Sequence, residues 1–249
     1  GRGFCYAGRM KTSPAYDLLL SLPPNMCGHL PACEPRVAER GFATFDPPGR
    51  QLGSGGGTAY VLEQAWRASG AASFDEWLAA SGKLVMHGGG ESRRLPPYAA
   101  PGKLFMPMPV FRWSLGQRLD QTLLDLAEPT LQRLARSAPG GPRTLVASGD
   151  VLVRIDGPPP SIPDADVVFF GLWVKPEEAR HFGVMFCNPA TPEKLATFLQ
   201  KPTPDTIRDM SREHAFLIDV GIWLLSEKAV RCLLRKCGWD AARQAFAQG

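Results

Sequence analysis

Apolar residues fall into short blocks separated by glycine and proline, and the spacing inside each block predicts its element. Gly41-Phe42-Ala43-Thr44-Phe45-Asp46 alternates as a short strand does and is stopped by Pro47-Pro48. Tyr60, Val61, Leu62 and Trp66 recur at helical spacing and predict a helix from about Thr58. Ser73 ahead of Phe74, Trp77 and Leu78 reads as a capped helix, and residues 83–87 follow as a strand. From Gln117, Leu119, Leu123 and Leu126 line one helical face; Leu131 and Leu134 continue it past Pro129, which should kink or split the helix. Arg143-Thr144-Leu145-Val146-Ala147 reads as a strand, and residues 166–174 as one buried on both faces. Residues 191–200 fit a helix start and a strand end equally well. Thr203-Pro204-Asp205 opens a helix to about His214, Ala215–Leu225 is a long strand, and Ser226 caps a last helix ending near Gly238. Strands alternating with helices imply an α/β fold, a doubly wound mixed sheet.

The amino-terminal part is harder to read. The apolar patch around Tyr16 to Leu22 suggests a short helix, followed by an irregular crossing rich in Pro, Gly and Cys. Residues 1–40 are therefore taken as an extension and irregular lead-in, with residues 1–9, ahead of Met10, set aside. Residues 41–249 are taken as the domain.

Composition narrows the function classes. A chain of 249 residues with 44% apolar and 21% charged content is ordinary for a globular protein. Its net charge of +4 comes with no basic tract, which argues against nucleic acid as a partner. The six cysteines include no CxxC pair and have no histidine at ligand spacing, so free thiols of a reducing compartment are expected rather than zinc. No apolar run is long enough to cross a bilayer. Leu18-Leu19-Leu20 is too short for a signal-peptide core, so the cytoplasm is the expected location.

Three places carry candidate chemistry. Leu84-Val85-Met86-His87-Gly88-Gly89-Gly90-Glu91-Ser92-Arg93-Arg94 is a buried-strand pattern opening into glycines and charge, with Pro101-Gly102-Lys103 behind it. Bare backbone amides beside Arg93, Arg94 and Lys103 suit an anionic ligand such as a nucleoside triphosphate. Gly53, Ser54, Gly55, Gly56 and Gly57 form a second glycine run ahead of a helix, the arrangement that cradles phosphate or serves as a flexible turn. Asp150 closes Ala147-Ser148-Gly149-Asp150 and is either a turn aspartate or a ligand for a hard cation.

Residues 88–95 resemble the sugar nucleotidyltransferase signature, GGxGTRL followed by a proline-lysine. From about Asp46 onward the chain resembles the pyrophosphorylase domain of fucose-1-phosphate guanylyltransferases. The blocks that carry the likeness are Leu52 to Thr58; Gly89-Gly90 with Ser92-Arg93-Arg94-Leu95-Pro96; Gly102-Lys103; Ala147-Ser148-Gly149-Asp150; Asp166 to Trp173; His181-Phe182-Gly183-Val184; Leu199-Gln200-Lys201-Pro202; and Ile218-Asp219-Val220-Gly221-Ile222-Trp223.

The resemblance implies a Rossmann-like nucleotidyltransferase domain that makes GDP-L-fucose and pyrophosphate from GTP and L-fucose 1-phosphate with Mg²⁺. By that likeness Arg94 grips the β- and γ-phosphates, Lys103 meets the α-phosphoryl group and Asp150 holds the metal. Gly53, Ser54, Gly55, Gly56, Gly57, Gly89, Gly90 and Ser92 surround the nucleotide. Lys201 meets the sugar phosphate with Gln200 near the sugar, and Asp219 serves sugar or metal or simply faces out of a strand. Glu91 departs from the neutral residue expected beside a triphosphate. The family domain continues past the last matched strand, so truncation at the carboxyl end is expected, with a fucokinase domain fused in the full-length protein. Another sugar 1-phosphate or base, or a nucleotide-binding domain without catalysis, remains an alternative.

Overall fold

The computed structural model describes residues 16–89, 102–108, 120–140, 143–155, 157–158 and 160–247. They form two compact units. One takes in the described residues up to Val168 and from Leu224 onward, and the other is Phe169–Trp223.

The first unit begins with β1 (Tyr16–Ser21), α1 (Pro24–Cys33), α2 (Pro35–Arg40) and β2 (Gly41–Thr44). It continues with α3 (Gly53–Ser69), α4 (Phe74–Ala80), β3 (Gly82–His87), a 3₁₀ turn (Lys103–Phe105), α5 (Leu123–Arg136) and β4 (Thr144–Ser148). The four strands are parallel in the order β2-β1-β3-β4, with Leu19 opposite Phe42 and Val85, and Val85 opposite Val146. Both faces of this sheet are buried. Leu19, Val85 and Val146 pack with Val61, Leu62, Ala65 and Trp66 of α3 and with Phe74, Trp77 and Leu78 of α4. Leu18, Leu20, Leu84, Met86, Leu145 and Ala147, at the alternate positions of the pleat, are as deeply buried. Full burial on two faces is why β3 and β4 read as nearly continuous apolar runs.

The second unit holds most of β5 (Val167–Leu172), then α6 (Pro176–Ala179), β6 (Gly183–Asn188), β7 (Thr191–Gln200), α7 (Pro204–Met210) and most of β8 (Ala215–Leu225). Here the pairing is antiparallel, β6 lying between β7 and β8, while β5 pairs with β8. Ala179, Val184, Phe186, Ile207 and Ile218 make a separate core. The chain returns to the first unit with α8 (Glu227–Lys236) and a small hairpin, β9 (Trp239–Asp240) with β10 (Ala245–Phe246). Parallel strands in one unit and antiparallel strands in the other make the class mixed α/β.

Several expectations are corrected. The patch at Tyr16 to Leu22 is not a helix: β1 pairs on both sides, so its six residues lie inside the sheet. The following residues form α1 and α2 rather than an irregular crossing. The helix expected from Thr58 starts at Gly53, so the glycine run is its first turn and not a loop. α5 begins at Leu123, where Thr122 and Asp125 form a reciprocal capping box, and it runs through Pro129 without being split; Gln117 lies outside the described residues. β5 is not buried on both faces, since Val167 and Leu172 are 39% and 57% exposed. Residues 191–200, which propensity left open, are strand β7. The expected caps are in place: Ser73, Thr203 and Ser226 accept from the backbone N–H groups of Glu76, Thr206 and Ala229. Cys33, Cys187, Cys232 and Cys237 are free thiols as expected, whereas Cys27 is in a disulfide.

Candidate active site

Parallel strands end together, and the loops leaving their carboxyl ends form a natural crevice. In the first unit these ends are tied by backbone hydrogen bonds. Leu22 N donates to Thr44 O, Gly88 N to Ser21 O and Gly149 N to His87 O, each at 2.8 Å. The last bond brings two chains very close. A Cβ on Gly149 would sit 2.7 Å from His87 O and 3.1 Å from Gly88 Cα, both backbone atoms that cannot step aside. Gly149→Ala is therefore expected to destabilise the fold by about 1–3 kcal/mol, the usual cost of overpacking. A lowered urea midpoint with an unchanged slope would show it.

Gly149 aims the next residue. Asp150 stands one turn beyond β4, and the 3₁₀ turn after Gly102 (φ 69°) brings Lys103 to it. Lys103 Nζ donates to Asp150 Oδ2 at 2.7 Å, and Ser148 Oγ donates to Oδ1 at 2.5 Å. Burial pushes the Asp150 carboxyl up, but the hydrogen bonds from Lys103 and Ser148 outweigh it and leave the group below the usual carboxylate range. Lys103 and Asp150 side chains keep 38% and 43% of their surface, so the pair remains open to a ligand. The structure thus brings together two predicted residues that lie 47 positions apart.

His87, on the other side of Gly149, is a brace. Thr58 Oγ1 donates its only proton to Ser54 O at 2.7 Å, so it accepts from His87 Nε2, 2.8 Å away. The imidazole therefore carries its proton on Nε2 and leaves Nδ1 as an acceptor. Burial pushes its pKa below the usual histidine value against the opposing charge of Asp46, which keeps the ring neutral near pH 7. This bond joins the end of β3, where Gly88 and Gly89 begin the charged loop, to the first turns of α3 that contain Gly53, Ser54, Gly55, Gly56 and Gly57. Only the helical periodicity after Thr58 hinted that this hydroxyl faces the sheet.

Gln200, Lys201 and Asp219 belong to the second unit. Gln200 pairs with Gly183 at the end of β7, and Lys201 has a left-handed backbone (φ 49°) whose N–H closes the pair by donating to Phe182 O at 3.0 Å. Asp219 accepts from Gly221 N at 2.8 Å and from Trp223 Nε1 at 3.1 Å, so its carboxylate is engaged within its own strand at an irregularity where Gly221 has φ 71°. Arg94, Gly90 and Ser92 lie outside the described residues.

An open carboxylate beside a lysine and glycine backbone is chemistry for handling phosphates. Among the described residues no group of three or more His, Cys, Asp or Glu could hold a metal ion by itself. Magnesium, however, commonly takes one or two carboxylates and completes its shell with water and substrate phosphate, a demand Asp150 can meet.

Residues 76–241 match the model of the fucose pyrophosphorylase domain. The chain belongs to this family. The fucose pyrophosphorylase match includes Arg94, Lys103, Asp150, Gln200, Lys201 and Asp219, and begins after the glycine run at the start of α3. Over 227 residues the chain is 46% identical to a Bacteroides fragilis protein named L-fucokinase/L-fucose-1-P guanylyltransferase, covering 91% of this chain and 24% of that protein. Over 202 residues it is 26% identical to an Arabidopsis thaliana protein named bifunctional fucokinase/GDP-fucose pyrophosphorylase, covering 72% of this chain and 19% of that protein. The chain thus spans a quarter or less of the length of these relatives. No described helix is long and apolar enough to cross a membrane.

Proposed function

We propose that this fucose pyrophosphorylase domain is a Rossmann-like guanylyltransferase that moves GMP from GTP to L-fucose 1-phosphate, giving GDP-L-fucose and pyrophosphate. The observation that carries the reading is the Lys103–Asp150 pair at the carboxyl ends of adjacent parallel strands, beside two glycine segments, in a family whose relatives bear that activity in their names.

An oxygen of the sugar phosphate forms a bond to the α-phosphorus as the bond from that phosphorus to the bridging oxygen of pyrophosphate breaks, and pyrophosphate leaves with the electron pair. Such a transfer depends on alignment and on stabilising spreading negative charge, not on a covalent nucleophile. The glycine segments align the nucleotide through backbone N–H groups, and Arg94 holds the outer phosphates with a planar fork. Lys103, exchanging Asp150 for the α-phosphoryl oxygens, meets the charge that develops there. Asp150 and substrate phosphates would hold Mg²⁺, which supplies Lewis-acid neutralisation of the phosphates. Lys201 meets the sugar phosphate, with Gln200 near the sugar. Asp219, its carboxylate oriented by Gly221 N and Trp223 Nε1, keeps free lone pairs for the sugar or a metal.

The bifunctional names of both relatives support a fused fucokinase as the source of the sugar 1-phosphate. The proposed location is the cytoplasm, with no nucleic acid or membrane partner. The test is magnesium-dependent pyrophosphate release over a panel of nucleotides and sugar 1-phosphates. GTP with L-fucose 1-phosphate is expected to be the best pair, and nucleotide binding without release under any combination would overturn the transferase reading.

A further inference from the structure

Asp46 sits two residues beyond β2, in the crevice at the strand ends. Its Oδ2 accepts from Leu52 N at 3.0 Å, which anchors the carboxylate at the start of α3. Its Oδ1 has no hydrogen-bond donor among the described residues, and no described lysine or arginine pairs with it. Asp150, by contrast, has Lys103.

Oδ1 faces the glycine run. A Cβ on Gly57 would lie 3.6 Å from Asp46 Oδ1 and 3.8 Å from His87 Nδ1. Because the Thr58 hydroxyl holds the imidazole proton on Nε2, both of these atoms are acceptors. A carboxylate that no described cation pairs repels a polyphosphate, whereas Lys103 attracts one, so the phosphates of a nucleotide belong on the Lys103 side of the crevice. What Asp46 can accept is a donor from the uncharged end of the nucleotide.

We propose that Asp46 determines base specificity by accepting the paired N–H donors of guanine. This rests on the transferase reading above and extends it to the base. Guanine is the common base that presents two adjacent donors, N1–H and the exocyclic amine, on its pairing edge. Adenine, cytosine and uracil each place an acceptor beside a donor there, and an acceptor against a carboxylate is rejected. Oδ1 is bare, and Oδ2 retains a second lone pair beyond the one given to Leu52 N, so the carboxylate can take both donors at once.

The test is equilibrium binding of GTP, XTP and ITP to this chain, followed by pyrophosphate release with L-fucose 1-phosphate. Xanthine carries a carbonyl where guanine carries the amine, and hypoxanthine carries neither. The unaltered protein is expected to prefer GTP to XTP on the order of 10²-fold, the size of a charge-assisted hydrogen bond, with ITP between them. Asp46→Asn can still accept from Leu52 N, and its amide N–H can meet the xanthine carbonyl, so the preference is expected to reverse toward XTP. A variant that keeps the original preference within threefold overturns the proposal. Should the variant not fold, the unaltered protein decides: equal binding of GTP and XTP overturns it. Preferential GTP binding by the unaltered protein that reverses in Asp46→Asn, with no pyrophosphate release from either, would uphold the role of Asp46 and overturn the transferase reading instead.

Discussion

Replacing Lys103 with alanine is expected to lower turnover about 10²–10³-fold, or roughly 3–4 kcal/mol of transition-state stabilisation, while changing GTP affinity far less. The split follows from where the lysine stands. Nζ is bound to Asp150 Oδ2 at 2.7 Å, so its charge already has a partner within the protein. Exchanging that carboxylate for a ground-state phosphate gains little. Meeting the charge that develops at the α-phosphorus gains more, and only that part appears in turnover.

The pair is partly exposed, so breaking it should leave folding stability within about 1 kcal/mol of the unaltered protein. Alanine also leaves Asp150 without its cation, so magnesium should bind more tightly even as turnover falls. Lys103→Arg should restore only part of the rate, because a planar fork cannot occupy the same point as an ammonium. Single-turnover rates, nucleotide binding and magnesium titration on the two variants check each part. Turnover of Lys103→Ala within threefold of the unaltered protein would remove Lys103 from the chemistry.

What the sequence made legible was local. Caps at Ser73, Thr203 and Ser226 are contained in a few consecutive residues, and the strand Ala215–Leu225 announces itself by length. What it hid was decided by packing between distant segments. β1 is a six-residue strand with three consecutive leucines, and only its pairing with β2 and β3 distinguishes it from a short helix. Five residues of poor helix propensity, four of them glycine, become the first turn of α3 because Ala59, Val61 and Leu62, all fully buried, hold that helix against the sheet. β6, at 183–188, is a short apolar run whose place as the middle of three antiparallel strands no local pattern specifies.

The candidate site divides the same way. Lys103 and Asp150 could each be named from resemblance, but their ion pair spans 47 positions and no local pattern encodes it. The Thr58–His87 brace and the bare oxygen of Asp46 were invisible for the same reason. Asp219 is the converse case: its hydrogen bonds from Gly221 and Trp223, four residues away or fewer, are local, yet no sequence pattern announced them.

Asp150→Asn is the second substitution with a large expected effect. The amide keeps the shape, but its single oxygen can go on accepting from Ser148 only by giving up Lys103, and the charge that would hold magnesium between protein and phosphates is lost. Turnover at ordinary magnesium is expected to fall about 10²-fold or more, with partial recovery at high magnesium because the substrate phosphates still bind the ion. The released Lys103 should at the same time hold GTP more tightly, so affinity and turnover are expected to move in opposite directions.

The pH dependence separates this role from that of a surface aspartate. Lys103 and Ser148 hold the Asp150 pKa below the ordinary carboxylate value, so the group stays ionised as pH falls below the unfolded-state value. Its favourable contribution to folding is present above that unfolded value and is lost only as pH falls through the depressed folded value. An activity decline in mildly acidic solution must then come from other groups and should persist in Asp150→Asn. Removing Lys103 should raise the Asp150 pKa and move its own titration upward into the measurable acid range. Isothermal titration with magnesium, and rate profiles of the three proteins against pH, read these shifts directly. Full activity of Asp150→Asn at ordinary magnesium would exclude the residue as the metal ligand.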